Sequence, residues 1–122
     1  MNARRSAYLL LVIGIGLLPW AVGLGLILPE RQVAAHWDLA WSGFDVALGL
    51  TMIATGVGLL RRWPSRGMLA TATGVLLFAD AWFDVVTAAT ANERWFAVVL
   101  AVLVELPLAT FCFVLARFDP PS

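Results

Sequence analysis

The sequence predicts an all-α integral membrane protein, a four-helix antiparallel bundle with both termini in the cytoplasm. Hydrophobic residues make up 61% of the 122-residue chain, against roughly 45–50% in an ordinary globular protein. They fall into four runs, each long enough to cross about 30 Å of hydrocarbon as a helix. A soluble domain of this size could not cover so much apolar surface, so we expect lipid to cover it. The whole chain, residues 1–122, is predicted to be one transmembrane domain.

The first predicted span covers residues 8–28 and follows Arg4 and Arg5. Its length and the lack of an Ala-x-Ala ending favour a retained helix over a cleaved signal peptide. Pro19 lies near its middle and should kink the helix, because proline removes a helical hydrogen bond. Trp20 would either line a cavity or fill this kink.

The second span is predicted over residues 42–60, after a loop that contains His36, Trp37 and Trp41. The two tryptophans are typical of the aromatic belt at a membrane surface. They would also ring the mouth of any site that is reached from this side. Small residues repeat every four positions along the span, which favours close helix packing.

The third and fourth spans are predicted over residues 68–90 and 95–116. The turn between them is very short, so the two helices should be antiparallel neighbours. The fourth span contains Glu105 near its middle and Pro107 two residues later. Pro107 should leave the carbonyl of Leu103 without its usual helical donor.

The arginines decide the predicted orientation. The chain has eight Lys and Arg residues, all of them arginine, and most fall on one side of the predicted membrane. Because positive loops favour the cytoplasm, we expect a multi-pass protein of the cell membrane with both termini cytoplasmic. The cytoplasmic arginines would be Arg4, Arg5, Arg61, Arg62, Arg66 and Arg117, and the outer ones Arg31 and Arg94.

Acidic residues inside the predicted spans are the main functional signal. Asp80 and Asp84 are four residues apart in span three, so they share a helix face. Relative to the midpoints of their spans, Glu105 lies near the middle, Asp80 about 3 Å outward and Asp84 about 9 Å outward. Asp45 lies close to the outer end of span two. An acid at such depth is costly and usually faces a cavity or the bundle interior.

Two arrangements would neutralise the two deeper acids, Asp80 and Glu105, since no basic residue is predicted at their depth. Neighbouring carboxylates can share a proton, or a cation from outside can lie between them. We therefore predict a ligand- or cation-binding site at Asp45, Asp80, Asp84 and Glu105. The residues expected to line a cavity beside it are Trp20, Trp41, Thr73 and Thr87.

A purely structural role is the competing interpretation. Asp45 and Asp84 lie near enough to the outer surface to be neutralised by water or by an outer arginine such as Arg94. The two deeper acids could instead be neutral and hydrogen-bonded inside the bundle, for instance to Thr73. The single cysteine, Cys112, is most simply a core residue.

Several classes of protein are not indicated. One cysteine cannot form an intrachain disulfide, and a single histidine, His36, provides no Cys/His metal set. Phosphate-binding, dinucleotide-binding and hydrolase motifs are absent from the sequence. The formal net charge of zero gives no general attraction to nucleic acid. We expect no cofactor and no metal centre, and as partners the lipid bilayer with a second copy of the chain or another membrane protein.

Three short blocks resemble small four-span membrane proteins of actinobacteria. They are residues 41–45 (WSGFD), 80–84 (DAWFD) and 105–108 (ELPL). The resemblance covers most of the chain. It implies the four-span architecture and carries no activity with it.

Three functions follow as hypotheses. The leading one is a bundle whose carboxylates bind or transport a proton, a cation or a cationic amphiphile. The second is a membrane-embedded enzyme, isomerase-like or terpene-cyclase-like, that uses acid catalysis on a lipid-soluble substrate and whose catalytic residues the sequence does not assign. The third is a non-catalytic subunit whose acids pair with arginines of another membrane protein.

Overall fold

The computed structural model describes residues 3–31 and 33–118, and the described residues are helical with connecting turns. The chain divides into two compact units, Met1–Ala35 and His36–Ser122. The helices are α1 (Ala3–Ile27), α2 (Trp37–Leu60), α3 (Arg66–Val86), α4 (Ala91–Leu100) and α5 (Leu106–Phe118), with a π-helical segment (Ala101–Glu105) joining α4 to α5.

The predicted all-α class and four apolar helices are confirmed. Four helical stretches are long and apolar enough to cross a membrane, the last of them made of α4, the π segment and α5 together. The helices begin several residues before the predicted spans, because the polar and aromatic residues that precede the apolar runs are also helical. Helix α3 instead ends at Val86, before the predicted end at residue 90. Among the described residues, the four stretches long and apolar enough to cross a membrane are Ala7–Leu24, Trp37–Leu60, Arg66–Val86 and Ala91–Phe118.

The N-terminal unit contains α1, which is apolar around its whole circumference. Large side chains such as Leu17, Leu18 and Trp20 are exposed. A helix without a polar face is typical of a segment surrounded by lipid. Pro19 lies inside α1, and the helix continues beyond it to Ile27.

In the C-terminal unit, α2 begins several residues before the predicted span. His36 precedes it in a left-handed conformation, with φ 55° and ψ 37°. Asp38 follows in the first turn, where the helix dipole favours an acid. Trp37 and Trp41 are therefore helical rather than in a loop, one turn apart, with ring centroids at 5.7 Å.

The turn from α2 to α3 is closed by its own hydrogen bonds. The Trp63 N–H donates to the Gly58 carbonyl at 2.9 Å. The Arg66 guanidinium donates to the Trp63 carbonyl at 2.9 Å and is buried. Arg62, in the same turn, adopts a left-handed backbone conformation, with φ 55°. These bonds fix the angle at which α3 leaves the turn.

Helix α3 packs against α2 on one side and against α4 and α5 on the other. Small buried residues on α3 allow this close approach. At Gly74, an added Cβ atom would lie only 2.7 Å from the Phe113 ring of α5. On the α2 side, the hydroxyls of Thr55 and Thr73 hydrogen-bond to each other at 2.9 Å. One cluster of buried apolar residues joins α2, α3 and α5 and consists of Leu48, Leu77, Ala109 and Cys112.

Candidate functional site

Three of the four predicted acids come together in the C-terminal unit. Asp80 and Asp84 of α3 and Glu105 of the π segment each offer one carboxylate oxygen, and these atoms all lie within 4.8 Å of one another. We call this group the carboxylate trio. Asp45, on α2, is exposed and lies outside it, although it interacts electrostatically with Asp84 and Glu105.

The α3 side of the trio follows from helical spacing. Asp80 and Asp84 are one turn apart and half-buried. Ala81 and Leu77, in the same part of α3, are almost fully buried. This side of the helix therefore faces the other helices of the unit, and the aspartates lie at the margin of that contact.

The α5 side of the trio depends on a widened helical turn. The Leu106 N–H donates to the Ala101 carbonyl, a bond that spans five residues where an α-helix spans four. Pro107 follows directly; it has no N–H, and its ring would crowd the Leu103 carbonyl in a regular helix. The π segment accommodates this proline, and such widened turns are frequent at functional sites. Glu105 is its last residue.

Glu105 is the most unusual member of the trio. The residue is only 8% exposed, and its Oε2 is buried with no hydrogen-bond partner among the described residues. Leaving a buried polar group unpaired costs about 1–3 kcal/mol, and more for a charged one. A proton on the carboxyl group, or a cation beside it, would remove that cost. The structure thus presents a buried carboxyl group with one unpaired oxygen, close to two further carboxylates.

The outer arginine predicted as a neutralising partner makes another contact. Arg94 donates to the Ala88 carbonyl at 3.2 Å, and within the described chain it forms no ion pair with Asp84. A salt bridge between Asp84 and Arg94 is therefore not the arrangement in the structure.

A further carboxylate near the site was not predicted. The Glu93 N–H donates to the Thr90 Oγ at 3.1 Å, and Glu93 Oε2 accepts from the Ala89 N–H at 3.0 Å. The negative charge of Glu93 is thus held at the start of α4. The signal was present in the sequence, because Thr90 and Glu93 have the spacing of a capping box before an apolar run.

A cavity of about 410 Å³ opens beside the trio at Asp84. Two predicted cavity residues, Trp41 and Thr87, line it. We call it the acidic cavity because it holds two carboxylates. The lining residues that matter for its chemistry are Trp37, Trp41, Asp84, Thr87, Glu93 and Phe96.

An apolar groove of about 290 Å³ adjoins the acidic cavity and shares Trp37, Trp41 and Thr87 with it. Trp41 is central to the groove, making edge-to-face contacts with Phe44 at 6.2 Å and with Phe83 at 6.3 Å between ring centroids. We call it the aromatic groove. Sequence reasoning identified Trp37 and Trp41 but not the two phenylalanines, because phenylalanines in an apolar span do not stand out.

The other two residues predicted to line a cavity are Thr73, in the C-terminal unit, and Trp20, in the N-terminal unit. Thr73 is buried in the contact between α2 and α3, where it bonds to Thr55 and to the Leu69 carbonyl at 2.9 Å. Trp20 is exposed on α1, in the N-terminal unit.

The fold and the site together define a helical protein with four candidate membrane-spanning helices and a partly buried carboxylate trio. No protein-family model, no curated protein and no solved structure matches the chain.

Proposed function

We propose that this is a multi-pass protein of the cell membrane whose carboxylate trio binds a proton or a cation reversibly, as the ligand site of a transport or binding protein. The observation that supports the proposal is the buried carboxyl group of Glu105, with its Oε2 unpaired, close to Asp80 and Asp84. A purely structural role does not explain that arrangement, since an unpaired buried polar group lowers stability.

The negative charges of the trio favour the binding of a proton or a cation. Three carboxylates this close repel one another, so at least one of them is protonated or a cation lies among them. Oxygen-only donors suit hard cations such as Mg²⁺, Ca²⁺ or Mn²⁺ better than softer metals. Because Asp84 also lines the acidic cavity, a ligand can reach the trio through that cavity, and water can complete its coordination.

The topology belongs to the same proposal. The four helices form an antiparallel bundle with both termini in the cytoplasm, and the acidic cavity then opens toward the outside. The arginine-rich turn between α2 and α3 supports this orientation. A bundle of only four helices encloses little space for a transport pathway, so a transport cycle would require a second copy of the chain.

Infrared spectroscopy of the protein in lipid nanodiscs tests the proposal through the carbonyl band of a protonated carboxyl group. In the wild type we expect a carbonyl band whose intensity titrates with pH, and in Glu105→Gln we expect this band to be lost. In Asp80→Asn the band should remain, but its frequency or the midpoint of its titration should change. The control is Asp38→Asn, an exposed acid in the first turn of α2.

Mn²⁺ binding, followed by electron paramagnetic resonance, tests whether the trio binds an inorganic cation. Glu105→Gln and Asp80→Asn should weaken any Mn²⁺ binding by about tenfold or more, as loss of a charged ligand implies. Both variants should retain wild-type helix content and elute as the wild type does. A double variant with an unchanged carboxyl band and unchanged Mn²⁺ binding would refute a ligand role for the trio.

A further inference from the structure

The acidic cavity and the aromatic groove are two parts of one continuous surface. They share Trp37, Trp41 and Thr87, yet their chemistry differs. The cavity carries the carboxylates of Asp84 and Glu93, and the groove is walled by aromatic rings. A surface with an anionic end and an apolar end matches a ligand with a cationic end and an apolar end.

The charge around the cavity is negative. Asp84 is flanked by Asp80 on its own helix and by Glu105 on the π segment, with Asp45 adding an electrostatic interaction from α2. Glu93 faces the cavity from α4. One positive charge lies at the edge of this negative surface: Arg94 does not line the cavity, but its side chain donates to the carbonyl of Ala88, which does. The acids outnumber it around the cavity.

The aromatic residues narrow the choice of cation. Tryptophan rings attract ammonium groups through the negative face of the ring, most strongly where water is excluded. An inorganic divalent ion would gain little from Trp37, Trp41 and Phe96, and it would leave the groove empty. A neutral lipid would gain nothing from the two carboxylates. The volumes, about 410 Å³ and about 290 Å³, are of the size that binds a small organic molecule.

We propose that the acidic cavity and the aromatic groove form one binding site for a lipophilic organic cation. Its positive nitrogen lies between Asp84 and Glu93, and its aromatic or alkyl body lies against Trp41, Phe44 and Phe83. This proposal rests on the proposed function, because Asp84 belongs to both the trio and the cavity. Binding of the organic cation at Asp84 then competes with the proton or metal ion held by the trio.

The test is isothermal titration of the full-length protein in nanodiscs with three probes. Benzyltrimethylammonium carries both ends of the inferred ligand, tetramethylammonium only the head, and neopentylbenzene is its uncharged isostere. We expect benzyltrimethylammonium to bind, tetramethylammonium to bind about tenfold more weakly, and neopentylbenzene to show no saturable binding.

Variants then locate the site. Trp41→Leu and Glu93→Gln should each weaken benzyltrimethylammonium binding by about tenfold. Glutamine can still act in the capping box, so Glu93→Gln should keep the start of α4 intact. The matched control is Trp95→Leu, an exposed tryptophan on α4 outside both surfaces. Should Trp41→Leu fail to fold, Phe96→Leu takes its place.

Three outcomes would overturn the inference: equal binding of the neutral isostere, no binding of benzyltrimethylammonium, or wild-type affinity in both site variants. The infrared carboxyl band, measured on the same samples, separates the two proposals. A band that still depends on Glu105 while benzyltrimethylammonium does not bind removes this inference alone. A band independent of Glu105, together with Mn²⁺ binding independent of the trio, removes the proposed function.

Discussion

At the scale of single residues, the contact between α3 and α5 depends on the absence of a side chain. Gly74 is buried and faces the Phe113 ring, at a distance that leaves no room for a methyl group. Gly56, on α2, is different, because a Cβ atom added there would meet no neighbouring atom within 4 Å. The sequence marks both as glycines in a helix and does not distinguish them, because the difference lies in what another helix places beside them.

We therefore expect opposite effects from the same substitution at these glycines. Gly74→Ala should lower the free energy of unfolding by about 1–3 kcal/mol through overpacking against Phe113. Gly56→Ala should leave it unchanged or raise it by up to about 1 kcal/mol, because alanine is the better helix former. Equilibrium unfolding in mixed detergent micelles measures both. Equal effects of the two variants would show that the close contact at Phe113 does not exist.

At the scale of elements, the acids that come together in the structure were visible in the sequence, but the backbone that positions Glu105 was not. Helical spacing alone placed Asp80 and Asp84 on one face. It could not place Glu105, since a regular helix through Pro107 would turn that side chain differently from the π segment. The proline was the visible signal, and it indicated a disturbed backbone without saying which of several adjustments would follow.

Pro107→Ala should separate the stability of this span from the assembly of the trio. Alanine restores an N–H donor and removes the clash, so the π segment should relax toward an α-helix. The free energy of unfolding should then rise by less than about 3 kcal/mol, because relaxing the π turn without deleting a residue also turns α5 relative to α4 and loses part of its packing on α3. Glu105 should leave the trio, so the titration of its infrared band should change from that of the wild type.

Pro64→Ala, in the exposed turn between α2 and α3, is the control and should leave the band unchanged. A wild-type band in Pro107→Ala would mean that the widened turn does not position Glu105.

At the scale of the whole molecule, composition and the length of the apolar runs were sufficient to predict four helices long and apolar enough to cross a membrane, as the described residues form. Both features can be counted along the chain without knowing which helices are in contact. Cavities depend instead on side chains from different helices, and only part of this was predicted: Trp41 and Thr87 line the acidic cavity, whereas Thr73 bonds to Thr55. Thr73 lies seven residues before Asp80, on the same face of the helix. From the sequence alone, such a threonine could equally line a cavity or bond to a neighbouring helix.

The proposed orientation can be checked with single cysteines in a Cys112→Ala background. Ser65 and Ala89 are both exposed, one in the turn before α3 and the other before α4. With the termini in the cytoplasm, a membrane-impermeant maleimide should label Ala89→Cys on intact cells and Ser65→Cys only after permeabilisation. Because both sites are equally accessible in the structure, a reversed labelling pattern would reverse the proposed topology.

The π segment also has a consequence for chain length. A single π turn is equivalent to one residue inserted into a continuous α-helix. Deleting one residue within Ala101–Glu105 would therefore preserve the faces of α4 and α5 while removing the bulge. Among homologous chains, a one-residue gap at this point would mark those in which the glutamate no longer meets the two aspartates, even where all three acids are retained.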